Sequence, residues 1–125
     1  MQFERTTVIW QRVEGALVFG AILLSFLFGY KLAYPWWALV LIFFAPDLSF
    51  LAYLFGKKVG SFAYNFVHSY GLGLVILVLG ASSDSYAQFT VGALITGHAG
   101  FDRMLGYGLK MPSGFHDTHL GRLGK

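Results

Sequence analysis

The chain has 125 residues, of which 56% are apolar, 18% aromatic and only 12% charged. About a quarter of a soluble domain is charged, so this composition, with a mean hydropathy of +0.61, excludes a disordered chain, a coiled coil and an ordinary soluble enzyme and points to an integral membrane protein. The net charge of +3 rests on nine Lys and Arg with no basic run, which speaks against nucleic acid as a partner, and the lack of cysteine excludes disulfides, thiolate catalysis and Cys-ligated zinc.

A membrane helix needs roughly 20 mostly apolar residues. The sequence predicts four such spans, at about 9–30, 34–55, 61–80 and 86–105, followed by a polar, Gly-rich tail over 106–125. The first span is too long in its apolar core for a signal peptide, and no Ala-x-Ala-like site follows it. Pro46-Asp47 interrupts the second. The links Lys31 to Ala33, Gly56 to Gly60 and Ala81 to Ser85 are short, and short links imply antiparallel neighbours. The expectation is an all-α fold: a single-domain, integral membrane, antiparallel four-helix bundle with a short C-terminal tail. Trp10, Trp36 and Trp37 stand at span starts, where they serve either as interfacial anchors or as lipid-facing aromatics. Gly92, Thr96 and Gly100, like Ala16 and Gly20, recur every four residues. Such small-residue faces suit close helix packing, within the chain or in a homo- or hetero-oligomer.

Orientation follows from Lys and Arg. One side of the four-span arrangement holds Arg5, Arg12, Lys57, Lys58, Arg103, Lys110, Arg122 and Lys125, and the other holds Lys31 alone. The positive-inside rule then places both termini in the cytoplasm.

Ionisable groups inside spans cost roughly 2.5–3.5 kcal/mol each on insertion scales, so each needs a reason. Glu14, Asp47, His68, His98 and Asp102, with polar Asn65, come from four separate spans. At about 1.5 Å per residue they all fall in one slab, about 10 Å or less below the cytoplasmic surface. Asn65 and His68 are i,i+3, and His98 and Asp102 are i,i+4, so each pair shares a helix face. Asp47, His68, His98 and Asp102 form a sulfur-free set that suits a divalent metal: zinc, iron or manganese. Glu14 is placed to act as general base, and Asn65 and Arg103 to position a substrate or stabilise developing negative charge. In the tail, His116 and His119 flank Asp117, which suits a second metal pair, a cap over the cytoplasmic mouth, or a solvated segment. No P-loop, dinucleotide fingerprint, HExxH or nucleophile elbow is present.

Pro46-Asp47-Leu48-Ser49, Tyr64-Asn65-x-x-His68, the long run Gly97-His98-Ala99-Gly100-Phe101-Asp102-Arg103-x-x-Gly106-Tyr107-Gly108-Leu109-Lys110, and Thr118-His119-Leu120-Gly121 resemble the small bacterial membrane family catalogued as domain of unknown function 4260. The resemblance covers nearly the whole chain and implies a compact four-span protein of the bacterial inner membrane. It carries no activity. A second resemblance is to inner-membrane metal-dependent hydrolases. Their Pro-Asp-hydrophobic-Asp, His-Ser and His-x-x-x-Asp elements are echoed in order by Pro46-Asp47-Leu48-Ser49, His68-Ser69 and His98-x-x-x-Asp102. Ser49 stands where that pattern has its second Asp, and a further upstream His is missing.

Three functions remain open on the sequence. The first is a metal-assisted hydrolase of a lipid or amphiphile at the cytoplasmic leaflet. The second is a structural or partner subunit whose polar cluster only fixes helix register. The third is a haem bundle with His68 and His98 as axial ligands.

Overall fold

The computed structural model describes residues 2–29 and 34–123. The link Lys31 to Ala33, with its outer-side charge, the end of the first span at Tyr30, and Lys125 lie outside the described residues. The chain is mostly helical, with a small sheet at its C-terminal end. Helix α1 (Gln2–Leu24) runs into a π-helical turn at Ser25–Gly29. Helix α2 (Trp36–Phe44) tightens into an eleven-residue 3-10 helix, Ala45–Phe55, with Pro46 in its first turn. A 3-10 run of that length is uncommon and often marks a functional or strained segment.

Helices α3 (Lys57–Val67) and α4 (Tyr70–Ser82) replace the expected straight third span. They are bent by 43° at His68-Ser69. Ser69 caps the new helix, its hydroxyl accepting a long 3.5 Å bond from the Leu72 N–H, which is the local reason a second helix can start there. The link expected over Gly56–Gly60 shrinks to Gly56, so Lys57 and Lys58 already belong to α3. Helix α5 (Tyr86–Leu105) is the inner helix, packed by α1, α2 and α4.

Two helical stretches, Arg5–Phe28 and Trp36–Phe55, are long and apolar enough to cross a membrane, and a third qualifies if the bent pair α3–α4 is one span. Helix α5, expected as the fourth span, is not among them: its Gly, Thr, His, Asp and Arg residues lower its hydropathy. It needs little apolar surface of its own because the other helices bury it. The exterior is correspondingly apolar, with Trp10, Leu17, Phe28, Leu54 and Phe62 among the exposed side chains. Exposed apolar surface on this scale is foreign to a soluble monomer and is consistent with a membrane protein.

The stripe on α5 is used inside the chain. A Cβ on Gly100 would lie 2.8 Å from the Gly15 carbonyl oxygen of α1, and one on Gly92 would collide with the Leu77 backbone of α4.

Helix α5 ends in a Schellman motif. Gly106 adopts φ 94°, its N–H donates to the Arg103 carbonyl, and the Tyr107 N–H donates to the Asp102 carbonyl at 2.8 Å. This turns the chain back into the tail, which is ordered rather than a loose appendage. Strands β1 (Lys110–Met111), β2 (Gly114–Thr118) and β3 (Gly121–Arg122) form an antiparallel sheet in the order β1-β2-β3. Lys110 pairs with Thr118 and Asp117 with Arg122. The sheet docks on α3, where the Asn65 amide grips the Lys110 backbone at both ends: Asn65 Nδ2 donates to the carbonyl at 2.7 Å, and the Lys110 N–H donates to Asn65 Oδ1 at 2.6 Å.

Candidate metal centre

Four of the residues singled out by depth converge on one point. Asp47 comes from the first turn of the 3-10 helix, His68 from the α3–α4 break, and His98 and Asp102 from successive turns of α5. One ligand atom from each lies within 4.8 Å of the other three. His68 Nε2 is 3.2 Å from Asp47 Oδ1 and 3.6 Å from Asp102 Oδ2, and His98 Nε2 is 3.2 Å and 3.5 Å from the same two oxygens. A tetrahedron with metal–ligand bonds of about 2.0–2.1 Å has edges of about 3.3–3.4 Å. The four measured separations bracket that value.

Hydrogen positions sharpen the case. The Tyr64 carbonyl lies 2.8 Å from His68 Nδ1. A carbonyl only accepts, so Nδ1 carries the proton. A neutral His68 then turns the lone pair of Nε2 toward Asp47 Oδ1. His98 Nε2 also sits between the two carboxylates, yet no hydrogen bond forms there because the atoms are not aimed at one another. Two imidazole Nε2 atoms and two carboxylates thus face a common centre, with His98 Nδ1 buried and without a hydrogen-bond partner. Tyr64 supplies a donor at its edge, its hydroxyl giving a 3.2 Å bond to Asp102 Oδ2. Such acceptor crowding costs free energy unless protons or a cation resolve it. A metal-ligating histidine characteristically donates its other ring N–H to a carbonyl or carboxylate, as His68 does. The donor set therefore fits a divalent metal.

Packing holds these groups still. The Tyr64 ring stacks on His68 with centroids 3.7 Å apart at 10°, and Phe43 meets His98 edge-on at 5.2 Å. Both histidines are fully buried, whereas the Asp47 side chain is 38% exposed. The His68 and His98 rings lie 4.9 Å apart, edge to face. Rings in contact leave no slab between them for a porphyrin, which removes the haem arrangement.

The remaining expected site residues do other work. Glu14 is exposed on α1, outside the converging group, and acts electrostatically on Tyr70. Asn65 spends its amide on the Lys110 backbone. Arg103 is buried, with Nη2 donating to the His68 carbonyl at 3.1 Å and Nη1 to the Tyr107 carbonyl at 2.8 Å. Arg103 thereby satisfies the carbonyl that the α3–α4 break sets free. In the tail, His116 is exposed, and His119 Nδ1 accepts the Leu109 N–H at 2.8 Å. Neither belongs to a metal-capable group among the described residues.

A cavity of about 330 Å³ opens beside the centre. Asp47, His98, Asp102 and Lys110 supply its polar wall, and Phe44, Phe50, Phe101 and Leu105 much of its apolar one. Phe115 and Leu123 close it from the tail, so the tail serves as a cap. A larger cavity of about 520 Å³, between α1 and Thr118–Gly121, holds none of the four ligand residues.

Two residues at this site were not singled out from the sequence. Tyr64 had a usable signal, since it precedes His68 by four on the same helix face. Lys110 had no periodic signal, because it arrives through the sheet rather than along a helix, and it stood in the sequence only as the end of the long run from Gly97. It is 4% exposed, with its ammonium 4.0 Å from the centre of the Phe115 ring and 5.1 Å from that of Tyr64. Burial holds its pKa below the usual lysine range, and the charge of Asp102 opposes that shift.

The fold and site define a helical protein with an apolar exterior, built around a buried two-histidine, two-aspartate cluster. Residues 8–123 match the domain of unknown function 4260, and the chain belongs to that family. No curated protein and no solved structure matches it.

Proposed function

We propose that this protein is a metal-dependent membrane hydrolase acting on a lipid or amphiphile at the cytoplasmic leaflet. Asp47, His68, His98 and Asp102 hold the ion: zinc, iron or manganese. When bound, the ion supplies an activated water by lowering its pKa toward neutrality. The observation that carries the reading is the meeting of two imidazole Nε2 atoms and two carboxylates at separations of 3.2–3.6 Å. His68 is held in its ligating tautomer by the Tyr64 carbonyl. Asp47, the most exposed of the four, faces the cavity from which a substrate enters. The ordered echo of hydrolase motifs in the sequence supports the same reading.

The chain lies in the bacterial inner membrane with both termini cytoplasmic, as the Lys/Arg bias supports. Helix α5 has 20 residues and so spans about 30 Å, which separates Ser83 near its start from the capping sheet at its end. A cysteine at Ser83 is expected to label from the outer side, and labelling only from the cytoplasm would overturn this topology.

Elemental mass spectrometry of detergent-purified protein tests the metal reading. The parent is expected to carry about one metal per chain. His98→Ala should lose it while remaining folded and monodisperse. A metal-free parent, together with a sharply destabilised His98→Ala, would instead assign the cluster to a structural network.

A further inference from the structure

Lys110 is the one Lys or Arg that lines the cavity beside the centre, among the described residues. The residue is 4% exposed, and no carboxylate oxygen of the described residues lies within 4.0 Å of its ammonium. Two aromatic rings face that ammonium, but they accept none of its three N–H donors in a conventional hydrogen bond. Its backbone is fixed by the Asn65 amide through bonds of 2.6 and 2.7 Å, so the charge is delivered to the cavity by design of the tail rather than by drift of a long side chain.

The charges around the cavity then leave a remainder. A divalent ion balances the two carboxylates of Asp47 and Asp102, and Lys110 adds one positive charge with no anion beside it. Buried charges are paired, or they await a partner. We propose that Lys110 makes this cavity a receptor for a singly charged phosphoryl headgroup on an amphiphile, a dialkyl phosphate ester. This inference rests on the metal reading, because without the ion the two aspartates would more than neutralise Lys110.

A phosphodiester carries one negative charge and two unesterified oxygens, enough to face Lys110 and the centre together. The volume of about 330 Å³ lies at the small end of the range for ligand pockets, about 300–1,000 Å³. It suits a headgroup, not a whole lipid. The alkyl chains have an exit between Phe44, Phe50 and Leu105, which line the cavity and are themselves 40–48% exposed on the apolar exterior.

Calorimetric titration of the detergent-solubilised protein tests this, with metal content measured on each sample. The probes are dihexyl phosphate, inorganic phosphate and hexanoate. The parent is expected to bind dihexyl phosphate at least about tenfold more tightly than either other probe. Lys110→Met should weaken that binding by at least about tenfold, the loss expected for a hydrogen bond to a charged group, with metal content unchanged. Lys110→Arg should restore it. Should Lys110→Met not fold, Lys110→Gln and Lys110→Arg carry the same comparison. Undiminished binding in the Met or Gln variant, with metal present, overturns the proposal and leaves the metal reading standing. Equal binding of inorganic phosphate overturns the lipid source, and equal binding of hexanoate overturns the phosphoryl assignment. A metal-free parent overturns the metal reading. It overturns this proposal as well, because the two aspartates then leave Lys110 no unbalanced charge, whereas loss of the proposal alone shows as metal-loaded protein whose binding is indifferent to Lys110.

Discussion

Tyr64 touches the centre in three ways. Its carbonyl fixes the His68 tautomer, its ring stacks on the His68 imidazole, and its hydroxyl donates to Asp102. Tyr64→Phe keeps the first two and deletes the third. Partners of this kind typically govern metal affinity by about 10–100-fold, so the variant is expected to release metal to a competing chelator at correspondingly lower chelator concentration. Unchanged competition would detach the hydroxyl from the site. The legibility of individual residues tracks the period of the element that carries them. His98 and Asp102 declare themselves by i,i+4 spacing on one helix, and Asp47 and His68 by depth. Lys110 reaches the same cavity through a strand whose side chains follow no helical repeat, so no spacing in the sequence connects it to the rest.

Helices α3, α4 and α5 depend on one another through features that a hydropathy profile passes over. Arg103 of α5 ties down the His68 carbonyl at the α3–α4 break and the Tyr107 carbonyl beyond its own helix. Arg103→Met keeps most of the volume and removes both donors. Each buried carbonyl left without a partner costs about 1–3 kcal/mol, so the thermal midpoint in detergent should fall well below that of the parent. A midpoint unchanged within error would mean that the break holds itself. The contact of α4 with α5 is as tight as backbone allows. In Gly92→Ala the new methyl meets the Leu77 backbone, which cannot rotate away, and overpacking of this kind costs about 1–3 kcal/mol. Gly20→Ala is the control, because a Cβ there meets nothing within 4 Å and alanine is the better helix former. Equal melting of the two variants would refute the close-packing account. The break itself was hard to foresee. It contains no proline, and Ser69 alone hints at a helix start in an otherwise continuous apolar run.

The whole molecule turns its apolar residues outward and its polar cluster inward. The apolar stretches were therefore legible as long hydrophobic runs, and the shared site as polar groups at one depth. Helix α5 falls outside the candidate spans because the most enclosed helix carries Gly, Thr, His, Asp and Arg in place of a continuous apolar run. The tail misled because its strands are only two to five residues long and are separated by glycines that read as loop. That tail is held partly by His119, whose Nδ1 accepts the Leu109 N–H while its own backbone N–H donates to the Leu109 carbonyl at 3.1 Å. Burial first, and then the positive charge of Arg103, hold the His119 pKa below its ordinary value of 6.5, against a smaller opposing effect of the Leu109 bond. The unfolded chain therefore takes up this proton at higher pH than the folded one does. As pH falls through about 6.5 toward the folded-state pKa, the unfolded state binds more protons, and stability drops. Below the folded-state pKa both states are protonated and the loss is complete. Above pH 7 the contribution is fully present. His119→Asn replaces Nδ1 with an amide oxygen that can still accept the Leu109 N–H but does not titrate. Melting of parent and variant at pH 7.5 and pH 5 should show the parent losing more on acidification, while the acid responses of all other groups cancel in the comparison. Equal losses would mean that His119 does not link tail docking to pH.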